Sequence, residues 1–176
     1  MNGLFPKGFR LEAVSRDHPR AAFRSGVPEV DEWLHARACQ AAAKHLASTK
    51  VLLDNGDAIA GYYTLAQYAV DFSRLPPDLA KGLPKSRPLP AYIVAWLGIR
   101  ADLQGQGPGG LGDRLFAQAL ADVWRVGQSI SFTAVFVDCL NERAKRFYAR
   151  FGFDEVPERP MQLCLSMARL EAMMRV

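Results

Sequence analysis

Hydrophobic residues recur along this chain at two periods, and the shorter period predicts strands. Residues 8–14 alternate between apolar and polar side chains, as a strand with one buried face does. The stretch 91–99 is almost entirely apolar, which is typical of a strand covered on both faces. By these criteria the predicted strands are 8–14, 50–54, 58–70, 91–99, 130–137 and 161–166, with a hairpin turn at 55–57.

The longer period predicts helices. One apolar stripe runs from Leu111 to Val126 and stops at Gly127, while an earlier helix opens at Pro28. Asn141 is placed to cap a third helix that ends near Phe151, and residues 169–176 form a short helix or a frayed tail. Residues 71–90 hold five prolines and form an irregular connection with room for a short helix. The pattern predicts one mixed α/β domain, 1–176, around a sheet of six or seven strands.

Composition narrows the class of protein. With 176 residues, 49% of them hydrophobic and 23% charged, the chain is typical of a globular domain and not of a disordered one. Cys39, Cys139 and Cys164 form no CxxC pair and no metal-ligand spacing with histidine, so we expect reduced structural thiols and no metal site. A net charge of +4 suits a polyanionic partner. No apolar stretch fits a signal peptide or a membrane span, and we expect a soluble, cytoplasmic protein.

The candidate chemistry begins with a glycine run between a predicted strand and a predicted helix. Glycines there let the backbone approach a ligand closely, and the N–H groups of the loop and the first helical turn suit a diphosphate. Pro108 donates no hydrogen bond, so the donors must be its neighbours. The run is Gln104-Gly105-Gln106-Gly107-Pro108-Gly109-Gly110-Leu111-Gly112.

Two familiar cofactor loops fit this run poorly. Gly105, Gly107 and Gly110 satisfy the dinucleotide pattern GxGxxG, but the 38 residues after Asp138 are too few for the remaining strand–helix units. A P-loop requires lysine where this chain has Leu111. A glycine-rich turn without a ligand stays open on the loop alone.

A second segment gives the loop a more specific interpretation. It reads Asn141-x-x-Ala144-x-x-Phe147-Tyr148-x-x-x-Gly152-Phe153. Together with Gln104-Gly105-Gln106-Gly107-Pro108-Gly109, it resembles the motifs of the GNAT superfamily of N-acetyltransferases. The loop is longer than the common pattern, because the apolar pair that usually follows it is displaced to Leu115 and Phe116. The resemblance implies a GNAT fold: a mixed, mostly antiparallel sheet with two splayed central parallel strands and about four flanking helices.

The resemblance also implies the site residues. In the family, acetyl-CoA lies between the two splayed strands, here 91–99 and 130–137, and its acetyl carbonyl meets a backbone N–H of the first strand, here within Leu97, Gly98 and Ile99. The tyrosine, here Tyr148, stands beside the thioester sulfur. A phenol with a pKa of about 10 is protonated at neutral pH and can donate to a departing thiolate of pKa about 8.5. The implied cofactor-binding residues are Leu97, Gly98, Ile99, Gln104, Gly105, Gln106, Gly107, Gly109, Gly110, Leu111, Gly112, Asn141, Ala144 and Phe147.

Weaker similarities along the chain favour one branch of the superfamily. The segments around Phe23-x-Ser25-Gly26, Gly61-Tyr62-Tyr63-Thr64-Leu65 and Pro160-Met161-x-Leu163 resemble the GNAT toxins of bacterial toxin–antitoxin modules. Those toxins acetylate the α-amino group of aminoacyl-tRNA and block translation, and a ribbon-helix-helix antitoxin neutralises them. The resemblance also suggests a homodimer. The chain departs from them at Trp96-Leu97-Gly98-Ile99-Arg100, where the toxins tend to have Arg-Leu-Ala-Val-Asp.

The substrate that accepts the acetyl group is indicated less directly by the residues than the cofactor is. Arg143, Arg146 and Arg150 share one face of the predicted Tyr148 helix, where they either bind tRNA phosphates or form a solvated helix face. An α-amino group with a pKa of about 7.7–8.0 is substantially neutral near neutral pH and has less need of a protein base than a lysine amine. Two alternatives stay open: an acetyltransferase for a small amine or a protein N-terminus, and a catalytically weak GNAT-like binding module.

Overall fold

The computed structural model describes residues 3–175, so the very ends of the predicted domain 1–176, and Val176 of the predicted tail, lie outside the described residues. The described chain forms two compact units. The first contains the residues up to Ala66 together with Ala95–Ala119, and the second contains Gln67–Val94 together with the residues from Leu120 onward.

Seven strands are present in the described residues and form one sheet in the order β1-β2-β3-β4-β5-β7-β6. The β4–β5 pair is parallel, with Tyr92 opposite Val135 and Val94 opposite Val137. The pairs β1–β2, β2–β3, β5–β7 and β6–β7 are antiparallel. The strands are β1 Arg10–Ala13, β2 Ser48–Leu53, β3 Ile59–Val70, β4 Leu89–Ile99, β5 Ala134–Asp138, β6 Asp154–Val156 and β7 Arg159–Ser166.

The α-helices lie in the parts of the chain where the sequence predicted or allowed them. The first predicted helix is continuous but contains a π-helical turn, Trp33–Arg37, between its two α-helical parts. The irregular connection contains a 3-10 helix, Phe72–Arg74, and one short α-helix. The predicted C-terminal tail is a helix that Ser166 caps by accepting from the Arg169 N–H. The α-helices are α1 Pro28–Glu32, α2 Ala38–Ala43, α3 Pro77–Ala80, α4 Leu111–Gly127, α5 Glu142–Ala149 and α6 Met167–Met174.

The core of the first unit forms where the helix 28–43 packs on the first strands. Tyr62 is fully buried on β3, and its hydroxyl donates a 2.6 Å hydrogen bond to the Val30 carbonyl of α1. That bond satisfies the polar end of a large core side chain. The buried cluster consists of Phe23, Val30, Leu34, Ala38, Val51, Leu53, Ile59 and Tyr62.

The second unit shows where the sequence-based boundaries were wrong. Strand β5 begins at Ala134, not at residue 130, because Ile130 is 59% exposed and lies in the loop after α4. Strand β6 was not predicted, since three residues are too few to display a period. None of the helices in residues 3–175 is both long and apolar enough to span a membrane.

Candidate active site

The glycine run forms an exposed loop directly before α4. Gly105, Gly107 and Gly109 all have positive φ angles, of +78°, +67° and +81°. At Gly109 a side chain would require the left-handed conformation, which costs an L-residue roughly 1–2 kcal/mol. Gly110 closes the loop with a 3.1 Å hydrogen bond from its N–H to the Gly107 carbonyl. The predicted cradle is thus a defined backbone turn that leads into a helix N-terminus.

Two backbone N–H groups of this loop already donate hydrogen bonds to side chains of the protein itself. The Gly109 N–H donates to Oδ2 of Asp113 at 2.7 Å, and the Leu111 N–H donates to Oε1 of Gln106 at 3.3 Å. One of these acceptors is a carboxylate, so the loop amides are able to bind an anion. Sequence reasoning placed Gln106 among the cofactor-binding residues and missed Asp113. An acidic residue in the first turn of a helix was the signal available.

A positively charged side chain also lies beside the loop, in addition to the carboxylate of Asp113. The Arg114 Nε donates to the Gly109 carbonyl at 2.9 Å. A shallow pocket of about 130 Å³ adjoins this arginine. A polyphosphate would therefore meet a guanidinium here in addition to the loop amides. The residues that line the pocket are Pro6, Phe9, Leu103, Gln106, Leu111 and Arg114.

Gln104 anchors the loop through its side chain. Its Nε2 donates to the carbonyls of Ser25 and Ile99, both at 2.7 Å. Ser25 is held in turn by Asp31, whose Oδ1 accepts from both the Ser25 N–H and the Ser25 hydroxyl. The side-chain amide of Gln104 thus ties the start of the loop to the end of β4.

The end of β4 explains two of the departures from the toxin pattern. A Cβ at Gly98 would lie 2.7 Å from Cγ1 of Val30 and 2.8 Å from the Tyr62 ring, so packing on the core requires glycine there. The Arg100 guanidinium donates to Asp54 at 2.8 Å and to Asp102 at 2.7 Å. Its charge is therefore used in ion pairs within the first unit.

Trp96, the third departure, is one half of an indole pair. Its ring stacks on Trp33 with the centroids 5.3 Å apart and the planes 15° apart. The Trp33 Nε1 donates to the Thr64 hydroxyl at 2.9 Å, and Thr64 shares a 2.7 Å hydrogen bond with Thr49. Both indoles are half-buried. The pair is therefore held in one arrangement by packing and by hydrogen bonds.

In the second unit, Asn141 caps α5 as predicted. Its Oδ1 accepts from the Ala144 N–H at 2.9 Å. The helix ends at Ala149, and Gly152 follows with a φ of +81°, a common way to end a helix. The cap and the glycine explain why the motif requires these two residue types: they fix both ends of the short helix that carries Tyr148.

Tyr148 is 7% exposed. Burial raises the pKa of its phenol well above the usual value, and the charge of Asp138, together with that of Cys139 once this thiol ionises, raises it further. The ring contacts Phe147 edge to face, with the centroids 5.2 Å apart. The phenol therefore keeps its proton at any pH near neutrality, which is the form that can donate a hydrogen bond.

Arg143 and Arg146 of α5, and Arg150 directly after its end, are exposed. The Arg150 guanidinium is 5.3 Å from the centre of the Phe147 ring. Within residues 3–175, neither Arg143 nor Arg146 forms an ion pair. Lys145, on the same helix, is paired with Glu155 at 2.5 Å. The described residues contain no cluster of three or more side chains that could hold a metal ion.

No protein-family model matches the chain. The solved structures similar to it include a tyrosine-to-phenylalanine mutant of KacT (TM-score 0.85, 23% identity, covering 95% of this chain and 99% of that one). AtaT complexed with acetyl-methionyl-tRNAfMet is also similar (TM-score 0.83, 24% identity, covering 94% and 99%). The fold is that of the GNAT acetyltransferases.

Curated relatives agree with the structural comparison. The chain is 29% identical over 154 residues to a tRNA-acetylating toxin of Mycobacterium tuberculosis. The aligned region covers 86% of this chain and 88% of the relative. It is 25% identical over 165 residues to the probable toxin TacT of Sinorhizobium fredii, covering 89% and 90%. A third GNAT-fold structure is an AtaT mutant bound to the C-terminus of its antitoxin AtaR and to acetyl-CoA (TM-score 0.78, 22% identity, covering 96% and 99%). The resemblance to acetyltransferase toxins inferred from the sequence is confirmed.

Proposed function

We propose that the protein is an acetyl-CoA-dependent N-acetyltransferase that acetylates the α-amino group of aminoacyl-tRNA and so blocks translation. The observation that carries this proposal is the similarity, over most of the chain, to a tRNA-acetylating toxin. The GNAT fold, the glycine loop and the buried Tyr148 supply the parts that such an enzyme needs.

The loop before α4 has the chemistry to hold the diphosphate of acetyl-CoA. Its Gly109 amide already donates to a carboxylate, and the Arg114 guanidinium lies against the Gly109 carbonyl. The same donors suit phosphate oxygens. Gln104 keeps the start of the loop fixed, and its role is therefore to position the loop. The remaining loop residues, 105–107 and 109–112, bind through their backbone or permit its close approach.

The chain contributes two groups to the chemistry. Acetyl-CoA supplies the acetyl group as an activated thioester. The backbone N–H groups of Leu97, Gly98 and Ile99 are the candidate donors to the acetyl carbonyl oxygen. Tyr148 donates its proton to the departing sulfur, and its raised pKa ensures that the proton is present. Asn141, Ala144 and Phe147 build and support the helix that carries Tyr148.

Exposed arginines on the helix that carries Tyr148 support aminoacyl-tRNA as the acceptor. Arg143 and Arg146 are exposed and form no ion pairs in residues 3–175, so their charges are available to a phosphate backbone. Arg150, next along the same face, lies on the Phe147 ring. These three residues form what we call the arginine face of α5.

The assembly and the cellular setting belong to the same proposal. A protein of this type works as a homodimer in the cytoplasm, with residues 1–176 as one GNAT domain, and a ribbon-helix-helix antitoxin neutralises it. In support, the similar toxin AtaT has been solved bound to the C-terminus of its antitoxin AtaR.

The direct test measures acetyl transfer from radiolabelled acetyl-CoA to charged tRNA. We expect label on aminoacyl-tRNA and none on the same tRNA after deacylation. Comparable transfer to free amines or to peptide N-termini would favour the small-amine or N-terminal enzyme. Binding of acetyl-CoA without transfer to any amine would favour the binding module, and Tyr148→Phe would then leave the protein's behaviour unchanged.

A further inference from the structure

A polar cluster at the carboxyl end of β5 has no role in the chemistry described so far. Asp138, the last residue of β5, is exposed, and its Oδ1 accepts a 2.8 Å hydrogen bond from Nε2 of Gln162. Gln162 lies directly opposite on the antiparallel strand β7. The same Nε2 lies 3.4 Å from the Tyr68 hydroxyl. All three side chains belong to the second unit.

Gln162 is held at this position despite an unfavourable environment. The residue is 5% exposed, and its Oε1 has no hydrogen-bond partner among the described residues. A buried acceptor without a donor destabilises a fold, because its lost hydrogen bonds to water are not replaced. The short hydrogen bond that the amide does make is the one to Asp138. The side chain of Gln162 is therefore placed so that its NH₂ group orients the Asp138 carboxylate, while its own carbonyl oxygen is left without a hydrogen bond.

The surroundings of Asp138 link it to Tyr148. Cys139 follows it in the chain and is buried, and the charge of Asp138 helps to raise the pKa of the Tyr148 phenol. Asp138 also ends the strand that leads, through the cap Asn141, directly into α5, the helix that carries Tyr148. The other ionisable groups nearby are Glu142 and Lys145 of α5, which act on Cys139. Lys145 is itself paired with Glu155.

We propose that Asp138, oriented by Gln162, binds the amino group of the acceptor in its ammonium form. This inference rests on the proposed function and names the residue that binds the acceptor amine in that reaction. A fixed carboxylate at the end of a parallel strand attracts the cation, and its orientation is set before the substrate arrives. Asp138 is then the amine-binding residue and Gln162 the positioning residue.

The protons balance in this scheme. The ammonium gives one proton to the Asp138 carboxylate, and the neutral nitrogen forms a bond to the acetyl carbon while the carbon–sulfur bond breaks. The sulfur keeps the electron pair and takes the proton of Tyr148, and the nitrogen loses its second proton to solvent. Asp138 then loses its proton to solvent and Tyr148 regains one, so each acetylation releases one proton.

The first test is the pH profile of kcat/KM for aminoacyl-tRNA between pH 6 and 7.5. In the wild type, where the ammonium is the bound form, we expect a nearly flat profile. In Asp138→Asn the neutral amine must bind instead, so kcat/KM falls about tenfold per pH unit below the amine pKa of about 7.7–8.0. Gln162→Met should raise KM with a smaller change in profile, and acetyl-CoA affinity should be unchanged in both variants. Parallel profiles for wild type and Asp138→Asn would overturn the inference.

A second measurement does not depend on transfer. Alanine methyl ester carries an ammonium beside an ester, as charged tRNA does, and N-acetylalanine methyl ester is its uncharged control. We expect the side-chain amide NMR signal of Gln162 to shift with the first ester only, and not to shift in Asp138→Asn. An unmoved signal in the wild type would overturn the inference. A wild type that binds the ester but acetylates no charged tRNA would contradict the proposed function alone.

Discussion

The carboxylate of Asp113 accepts a 2.7 Å hydrogen bond from the backbone N–H of Gly109, at the loop proposed to hold the diphosphate of acetyl-CoA. The protein therefore places a negative charge of its own on a donor that the cofactor needs. Binding must displace this carboxylate or tolerate its repulsion, and the first prediction follows from that competition.

Asp113→Asn should tighten acetyl-CoA binding about fivefold, because it removes a like charge whose interaction is on the order of 1 kcal/mol in a solvated site. Asparagine keeps a hydrogen-bond acceptor for the loop. Calorimetric titration at low ionic strength measures the change. Asp17→Asn, which removes the same charge from an exposed position elsewhere in the unit, is the matched control. Equal affinity for the Asp113 variant and this control would show that the loop does not hold the diphosphate.

Gly109→Val should weaken acetyl-CoA binding at least about tenfold, because the branched side chain disfavours the φ of +81° and stands where the diphosphate approaches. Gly82→Val provides the comparison, since Gly82 has a φ of +80° and, like Gly109, no atom within 4 Å of an added Cβ. Both variants should lose similar stability. Only the first should lose affinity for the cofactor, as measured by calorimetry.

Tyr148→Phe should lower kcat by roughly 10²-fold, the usual effect of losing a general acid, with little change in acetyl-CoA affinity. The ring and its contact with Phe147 are preserved, so the fold should persist. Single-turnover acetylation of charged tRNA measures the chemical step. Tyr92→Phe, at a half-buried tyrosine of the same unit whose ring packs on Phe132, should leave kcat unchanged. A fully active Tyr148 variant would remove this residue from the mechanism.

Replacing Arg143 and Arg146 together by alanine should raise KM for charged tRNA several-fold and leave acetyl-CoA affinity alone. Each lost phosphate contact should also reduce the slope of log KM against log salt concentration by about 0.7–0.9. Arg16→Ala/Arg37→Ala removes the same charge from exposed positions of the first unit. If both double variants respond alike, the effect is one of net charge, and the arginine face does not bind tRNA.

The buried thiols predict how stability depends on pH. Burial raises the pKa of Cys139 to about 11 and that of Cys164 to about 12, while an unfolded thiol titrates near 8.5. Below pH 8.5 both states keep their protons. As the pH rises towards 11, only the unfolded state loses them, so the free energy of unfolding falls.

Urea unfolding at pH 7.5 and at pH 10 measures this decrease. The double variant Cys139→Ala/Cys164→Ala should be less stable than the wild type at pH 7.5. Its free energy of unfolding should, however, differ much less between pH 7.5 and pH 10. Tyr148 adds a similar loss only above about pH 10, where an unfolded phenol begins to ionise. A double variant with the same pH dependence as the wild type would show that the thiols are not its source.

Much of the fold could be predicted because it depends on local periodicity. The apolar stripe predicted α4 at Leu111–Gly127, and the position of Asn141 predicted the start of α5. The same approach failed at Ile130, where an apolar residue lies in an exposed loop. Hydrophobicity shows which residues favour burial, but the tertiary packing decides whether there is room for them in the core.

The sequence by itself determined the two chemical elements: glycines before a helix, and a tyrosine on a short capped helix. Both depend on residues close together in the chain, whose backbone conformation and hydrogen bonds have local rules. Only the tertiary structure decided that Gly98 is required beneath Tyr62, that Arg100 is neutralised by Asp54, and that Gln162 orients Asp138. These contacts join residues far apart in sequence. Such pairs are chosen by strand register and packing, which no local pattern records.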